Sequence, residues 1–313
     1  LKRKVNNMII NAIFSPEFLN ATLRATTPIL FAALASAIAS KSGVVNMALE
    51  GIMLFTALFG VIFSAAFHSA WLGLIATMAA GGLIGFLLAF FVLRLKTDEI
   101  LAAIAINLIA NGATILILLA VSGDRGISSS IHSIIIPRIT LPVIKDIPFL
   151  GKVLSNQNVL TYISLIMVAV VHIFLYKTPL GLQIRAVGEN KDAAESVGIS
   201  STKIRYISLT ISGILASMGG YFLSGGYMTK FTTGMSAGRG FIALAAGAMG
   251  GNTPVGSFLV SLLFGAAQAL SNILQLGTWS YELVQMLPYA TTLIGLGIYS
   301  YTKMKKRQRL TGK

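Results

Sequence analysis

One carboxylate inside an apolar run of membrane length is the first group in this sequence whose type and position could do chemistry. Glu50 lies in the run from 44 to 67, beside Asn46 and Gly51. An ionised group within a bilayer is costly, so it is a candidate functional residue. Glu50 could contact a hydroxyl or amine of a solute, or relay a proton. It could equally cap a broken helix by accepting hydrogen bonds from freed backbone N–H groups.

Amide side chains form two further polar stripes on otherwise apolar runs. Asn107 and Asn111 are one helical turn apart, with Thr114 on the same face. A similar stripe lies further along the chain, at Gln268, Asn272 and Gln275. Amides both donate and accept, which suits a neutral, hydroxyl-rich or heteroaromatic solute, although hydrogen bonds between helices are the alternative. The candidate solute pathway is therefore Asn46, Glu50, Asn107, Asn111 and Gln268.

No other pattern in the sequence indicates catalysis or metal binding. His68, His132 and His172 are far apart, and the chain has no cysteine, so no metal site is expected. No G-x-x-x-x-G-K-[ST] motif occurs, so this chain is not expected to cradle ATP phosphates. We expect no catalytic residue and no cofactor in the chain itself.

The composition is that of a polytopic membrane protein. Apolar residues make up 55% of the chain and charged residues 11%, against about 25% charged in soluble domains, and the mean hydropathy is +0.80. The net charge is +14, but the basic residues cluster at the ends of apolar runs, which is typical of topology signals and not of nucleic-acid binding. We predict an all-α fold with about eight to ten transmembrane helices, including broken or re-entrant segments, and no nucleic-acid partner.

The charged breaks predict the domain organisation. Residues 1–20 are expected to form an interfacial helix on the inner face, 21–301 the transmembrane domain and 302–313 a basic cytoplasmic tail, which puts both termini inside. Within the domain, 122–157 is expected outside and the Lys- and Arg-rich loop 177–205 inside.

The number of apolar runs conflicts with this orientation. Three runs precede Arg94, whereas two inner ends require an even number of crossings. We therefore expect 44–67 to be broken or re-entrant, with the short run 241–250 as its counterpart in the second half. Discontinuous helices at corresponding places point to a transport pathway.

The loop 177–205 carries signals for a two-turn helix, about 191–197. Asn190 is a suitable N-cap, Asp192 lies in the first turn, and Gly198 is placed to end the helix. Ala193, Ala194 and Val197 are predicted to share one small-residue face. Because two turns are too few to be stable in water alone, something should pack on this helix.

Three stretches of the sequence resemble a known family. TPLGLQIRAVGENKDAAESVGIS (178–200) is similar to the cytoplasmic loop of permease subunits of ABC importers, in the branch that carries sugars, nucleosides and branched-chain amino acids. KSGVVNMALEGIMLFTA (41–57) and GRGFIALAAGAMGGNTPVGSFLVSLLFG (238–265) agree in matching order, and the motifs look closest to the nucleoside-import members. In that family the loop carries a coupling helix that docks on a separate ATPase, which implies docking residues Glu189, Asn190, Asp192, Ala193, Ala194, Val197 and Gly198.

The resemblance implies a non-enzymatic permease subunit in a bacterial cell membrane that imports a small neutral solute, a nucleoside first and a simple sugar as the alternative. The implied partners are ATPase subunits that bind ATP and Mg, a second permease chain, related rather than identical, and an external solute-binding lipoprotein. An ion-coupled secondary transporter with Glu50 as relay is the competing hypothesis. For the importer, Ala194→Arg is expected to abolish uptake and leave insertion intact.

Overall fold

Helix-start signals fix where the apolar runs become helices. The computed structural model describes residues 15–140, 150–275 and 281–311. The Ser15 hydroxyl accepts a hydrogen bond from the Phe18 amide, and Pro16 occupies the first helical position. Side-chain oxygens of Asp98, Asn158, Thr178, Asn190, Ser200 and Thr253 cap later helices in the same way.

The helices are α1 (Pro16–Lys41), α2 (Leu49–Ala66), α3 (Ala70–Ala89, continued as a π-helix over Phe90–Arg94), α4 (Glu99–Ser122), α5 (Leu150–Leu154), α6 (Val159–Lys177), α7 (Pro179–Glu189), α8 (Lys191–Ser196), α9 (Ser201–Tyr221, continued as a π-helix over Phe222–Tyr227), α10 (Arg239–Met249), α11 (Pro254–Leu274) and α12 (Tyr281–Thr311). Two short strands, β1 (Arg138–Ile139) and β2 (Gln157–Asn158), pair antiparallel.

The bundle has two chemically distinct ends. At the end of α1, the Arg205 Nε donates to the Ser42 carbonyl oxygen at 3.2 Å, so Lys41 lies beside the loop 177–205. Arg94 lies at the same end, because α3 runs antiparallel to α9 and the rings of Phe86 and Tyr206 are 5.3 Å apart. We call this the basic end.

The other end, called the opposite end, carries the segment between α4 and α6. The Asn20 side-chain amide donates to the carbonyl oxygens of Lys152 and Val153, both at 3.1 Å, and the Ser64 and Ser133 hydroxyls are 3.1 Å apart. Within the described part of 122–157, the structure has the short helix α5 and the strand β1, which pairs with β2 just before α6.

Seven helices in the described ranges are long and apolar enough to cross a membrane. Together with the half-length α10 and the last helix α12, they agree with the prediction of about eight to ten. The last helix continues to Thr311, so residues 302–311 of the predicted tail are helical.

The start of α1 corrects the predicted first boundary. The helix begins at Pro16, so the boundary expected at residue 20 falls inside it, and residues 1–14 lie outside the described residues. Pro16 is at the opposite end, not at the basic end. Three helices therefore lead from Pro16 to Arg94 with one crossing each, and the parity conflict disappears without an extra crossing in 44–67.

Small residues let α3 and α9 pack with their backbones close together. A Cβ built on Gly213 would lie 2.2 Å from the Gly81 carbonyl oxygen, and one on Gly85 would lie 2.4 Å from the Leu209 carbonyl oxygen. Such contacts are typical of helix pairs in membranes, where dispersion forces replace the hydrophobic effect. The contact fixes the position of α9, whose Ser212 bonds Asn46 in the non-helical residues 44–48 before α2, called the broken segment below.

Two glycine-to-alanine changes should have opposite effects on stability. Gly213→Ala should lower the thermal midpoint in detergent, because the new methyl group must push α3 and α9 apart, at a cost of about 1–3 kcal/mol. Gly112→Ala should leave the midpoint unchanged or raise it, because nothing lies within 4 Å of its Cβ position and Ala is about 0.5–1 kcal/mol better than Gly in a helix. Equal midpoints for the two variants would contradict this packing.

Candidate functional site

The segment before α2 is not helical, and Asn46 holds it in place. Residues 44–48 follow α1 without regular structure. The Asn46 amide donates from Nδ2 to the Ser212 hydroxyl on α9 at 2.9 Å, and its Oδ1 accepts from the Ala48 backbone N–H at 3.1 Å. The prediction that 44–67 is broken or re-entrant is therefore wrong for most of the run: residues 49–66 form one uninterrupted helix, and only residues 44–48, the connection from α1, lie outside it.

Asn107 on α4 braces the same segment from the other side. Its Oδ1 accepts from the Gly51 backbone N–H at 2.7 Å, and its Nδ2 donates to the Met47 carbonyl oxygen at 3.0 Å. Gly51 permits this approach, because a Cβ there would lie 2.9 Å from the Asn107 Cα. The amide thus satisfies one donor and one acceptor that the late start of α2 leaves without helical partners.

Glu50 joins this segment to a second break nearly two hundred residues away. Its Oε1 accepts from the Gly238 backbone N–H at 2.8 Å and its Oε2 from the Gly240 backbone N–H at 2.7 Å. Both amides belong to the N-terminus of α10, where the helix dipole and free N–H groups favour a negative charge. Gly240 is needed for the contact, since a Cβ there would lie 2.4 Å from the Glu50 nitrogen.

The second break is a discontinuous crossing and not a re-entrant loop, because the chain enters it at the opposite end and leaves it near Asn252, beside Ser40 and Gly43 at the basic end. The chain leaves α9 at Tyr227 at the opposite end, runs through irregular residues and starts the short helix α10 at Arg239. The Arg239 Nη1 donates to the Met235 and Ser236 carbonyl oxygens, both at 3.1 Å. Gly250 and Gly251 end α10, and Pro254 begins α11.

This geometry supports the capping reading of Glu50. Both carboxylate oxygens already accept hydrogen bonds from backbone amides, so the group is committed to holding two segments together. A relay carboxylate needs a proton donor or acceptor partner, whereas these partners are amide N–H groups that keep their protons.

The predicted pathway residues separate into two groups. Asn46, Glu50 and Asn107 converge on the broken segment. Asn111 does not: its side chain is exposed on the outer surface of α4 and donates back to the Asn107 carbonyl oxygen at 2.9 Å. Its position one turn beyond Asn107 is enough to turn it away from the segment.

Gln268 lies elsewhere, in α11, half-buried beside a small pocket also lined by Arg24, Tyr227 and Arg239. Its side chain is 3.4 Å from that of Asn272. The amide stripe on α11 is thus partly a pair of side chains that hydrogen-bond each other.

A cavity of about 580 Å³ lies next to the broken segment, toward the basic end. It is lined from four sides by residues of α1, the segment 43–47, α10 and α12, among them Ser36, Ser40, Met47, Phe241, Asn252 and Leu296. Its volume lies in the usual range for small-molecule sites, about 300–1,000 Å³. Sequence reasoning missed Ser36, Ser40 and Asn252, because single serines in an apolar helix and one Asn in a turn give no spacing signal.

The helix predicted in the loop 177–205 forms as α8, and its caps are those expected. The Asn190 Oδ1 accepts from the Ala193 N–H at 3.0 Å. Asp192 lies in the first turn, and Gly198 follows the helix with φ of +85°. Glu189 is the last residue of α7, so the two helices share Asn190 as their junction.

The predicted small-residue face of α8 is wrong in one residue. Ala194 is only 4% exposed and packs into the core of the bundle, whereas Ala193 is exposed and Val197 is 74% exposed. Ala194→Arg would therefore disturb the protein's own packing, and its effect on uptake could not report docking. The outward face is formed by Ala193 and Val197.

The α7–α8 segment (179–198) is fixed to the start of the broken segment. A Cβ on Gly188 would lie 2.1 Å from the Lys41 carbonyl oxygen, and Arg205 binds the Ser42 carbonyl oxygen. On the other side of α8, Lys191 pairs with Glu195 at 3.9 Å, and Glu195 accepts a hydrogen bond from the Ser201 hydroxyl. Residues 42–48 thus connect this segment directly to Glu50.

Removal of the Glu50 carboxylate should cost stability. Glu50→Ala leaves two amides at α10 without partners, at about 1–3 kcal/mol for each N–H, and should lower the thermal midpoint clearly. Glu50→Gln keeps one acceptor oxygen and should fall between. Glu17→Ala, which removes an exposed acid from the first turn of α1, is the control with a small effect. An unchanged midpoint for Glu50→Gln with complete loss of uptake would instead favour a proton relay.

Comparison with known protein families agrees with the resemblance seen in the motifs. Residues 18–296 match the family model described as branched-chain amino acid transport system / permease component. No solved structure gives a significant match.

Three curated relatives cover most of the chain. It is 36% identical to the guanosine ABC transporter permease NupQ of Bacillus subtilis over 88% of this chain and 89% of that protein. It is 32% identical to a putative glucose ABC transporter permease of Haloferax volcanii, TsgC13, over 82% and 77%. It is 31% identical to the nucleoside ABC transporter permease NupC of Lactococcus lactis over 88% and 89%. The chain belongs to the branched-chain amino acid transport system / permease component family and is a multi-pass membrane permease of the ABC transporter class.

Proposed function

We propose that this permease imports a small neutral polar solute, a nucleoside in the first place, by a cycle that a separate ATPase drives. The observation that carries the solute class is the 36% identity to a guanosine permease over nearly the whole length of both chains. The site chemistry agrees: both oxygens of Glu50 accept hydrogen bonds from backbone amides, and the cavity beside it offers Ser36, Ser40 and Asn252 among apolar walls. Such a lining suits a solute with hydroxyl groups and an apolar face.

The proposed mechanism uses the connected segments as one mechanical unit. An ATPase subunit docks on Ala193 and Val197 of α8 and moves the α7–α8 segment. Gly188 and Arg205 pass the movement to Ser42 and Gly43, and from there to the broken segment. Because Glu50 ties that segment to the N-terminus of α10, both walls of the cavity move together.

The proposed transporter contains further subunits besides this chain. ATP and Mg are bound by the ATPase subunits, which carry out hydrolysis. One chain has one α8, so two ATPase copies need a second permease chain, identical or related, and an external solute-binding lipoprotein delivers the solute. We place the basic end in the cytoplasm of a bacterial cell, since short Lys- and Arg-rich loops stay inside. That places the C-terminal end of α12 inside and the start of α1 outside, which replaces the expectation that both ends are cytoplasmic.

A simple sugar is the second candidate solute, because the chain is also 32% identical to a putative glucose permease. Ligand binding by the partner solute-binding protein separates the two solutes most directly. Binding of guanosine or uridine with no competition by glucose supports the nucleoside; the reverse pattern supports the sugar. An ion-coupled transporter is disfavoured because both oxygens of Glu50 are occupied by amides.

Docking of the ATPase on α8 should be disrupted by a bulky charged substitution at Ala193 and not by the same substitution at a distant exposed site. Ala193→Arg should abolish co-purification of the ATPase and solute uptake, because a long charged side chain then occupies the outward face. The permease itself should keep its thermal midpoint, since Ala193 is exposed. Ser129→Arg, an exposed position at the opposite end, should keep co-purification. Retained ATPase binding in Ala193→Arg would refute this docking face.

The orientation can be measured directly, because the chain contains no cysteine. Ser196→Cys, exposed on α8, should react with a membrane-impermeant maleimide only in inside-out vesicles. Ser129→Cys should react with the same maleimide in whole cells from which the outer envelope has been removed and whose cytoplasmic membrane is intact. The opposite labelling pattern would overturn the proposed orientation.

A further inference from the structure

A lateral groove between α6 and α11 has the form of a lipid site. Its cavity of about 480 Å³ lies between Leu165, Val168, Ala169 and Ile173 of α6 and Val255 and Phe258 of α11. The α6 residues recur at helical spacing along one face, and Ala169, Ile173 and Val255 are exposed in the isolated chain. In a bilayer such a groove is open to acyl chains, so its occupant must be apolar along its length.

The same face of α6 ends in a group of cations at the basic end. The ring of His172, which lines the groove, lies 4.9 Å from that of Tyr176 in a tilted arrangement. The Arg185 guanidinium lies 4.8 Å over the Tyr176 ring and donates from Nε to the Leu175 carbonyl oxygen at 3.0 Å. These contacts hold the guanidinium at the mouth of the groove. Lys177, the last residue of α6, is exposed.

The Arg185 guanidinium is held in place through its Nε, but in the part of the chain that the structure describes not all of its hydrogen-bond donors have partners. Within the described residues, its two terminal nitrogens make no hydrogen bond, and no carboxylate pairs with Arg185 or Lys177. A guanidinium with free terminal donors matches a phosphate group in geometry and charge. The positive end of α11, which begins at Pro254, lies at the same mouth and adds to the attraction for an anion.

We propose that this groove binds one anionic phospholipid, with an acyl chain along the α6–α11 wall and its phosphate on Arg185 and Lys177. Apolar walls below a cationic mouth match the two halves of that molecule, and basic pockets between helices are a known form of lipid site. The leaflet is the cytoplasmic one in the orientation proposed above. The site itself depends only on the chain lying in a bilayer.

The position of Arg185 gives the lipid a role beyond anchoring. Arg185 belongs to α7, and Asn190, the residue that follows α7, is the N-cap of α8. A phosphate bound to Arg185 holds α7 against α6. Because α8 follows α7 directly, the phosphate also restricts movement of α8 relative to α6. Anionic lipid therefore stabilises the α7–α8 segment in the position against the helix bundle that the structure shows.

Native mass spectrometry of the purified full-length chain tests the site, with phosphatidylglycerol and phosphatidylcholine as probes. The wild type should retain one phosphatidylglycerol in preference to phosphatidylcholine. Arg185→Gln should weaken retention about tenfold, since charge-assisted hydrogen bonds are lost. Ala169→Trp, an exposed position that fills the groove, should do the same.

Matched variants control for general effects of charge and bulk. Arg94→Gln removes an exposed cation from the same end, and Ala105→Trp adds bulk to the exposed face of α4; both should bind phosphatidylglycerol as the wild type does. Equal retention of the two lipids, or undiminished retention of phosphatidylglycerol in Ala169→Trp, would overturn the site. A dimer of the chain that carries no bound lipid would also overturn it, because the groove would then be covered by a second copy. Because no transport is measured, failure here is distinct from failure of the proposed nucleoside import.

Discussion

The structure depends on one carboxylate, that of Glu50, which accepts hydrogen bonds from two backbone amides at the start of a half-length helix. In hydrocarbon every backbone donor must find a partner, so an interrupted helix is tolerated only where something replaces its lost hydrogen bonds. Glu50 does this for the N-terminus of α10, through the amides of Gly238 and Gly240. Asn46 and Asn107 do the same for backbone amides around the start of α2, since they accept from the N–H groups of Ala48 and Gly51. The two breaks therefore form one polar unit that is joined through Glu50.

This unit has a direct connection to the basic end. The segment held by Asn46 begins at Ser42 and Gly43, which contact Arg205 and Gly188. A movement of the α7–α8 segment toward α1 would displace residues 42–48, because Gly188 packs directly on the Lys41 carbonyl oxygen and Arg205 binds that of Ser42. The proposed ATPase and lipid contacts both act on this segment, one on α8 and the other on α7, so their effects converge on the same residues.

Much of the fold follows from local signals in the sequence, and the errors have identifiable causes. Composition and apolar runs predict the helical membrane class, and Asn190 and Gly198 mark α8 correctly. The polar residues among 1–20 favour an interfacial helix there, whereas Ser15 and Pro16 start α1 within that stretch. That error then created a parity conflict, which the sequence alone could not resolve.

The site residues show the same limit at finer scale. Glu50 and Asn107 are recognisable because polar groups in apolar runs need partners, but the partners, amides of α10 and of the segment before α2, are set by tertiary packing. Ala193 and Ala194 differ by one position, and only the docking of α8 against the bundle decides that Ala194 faces inward. Asn111 is a similar case: its spacing from Asn107 is right for one helix face, but α4 meets the broken segment over only one turn.

Hydrogen–deuterium exchange in lipid nanodiscs tests the shared polar unit most directly. The account predicts slow exchange for peptides that contain Gly238 and Gly240 in the wild type. In a Glu50→Ala variant, those peptides should exchange much faster, while peptides from the middle of α9 stay protected. Fast exchange at Gly238 and Gly240 in the wild type, or protection that does not depend on Glu50, would contradict the claim that this carboxylate joins the two breaks.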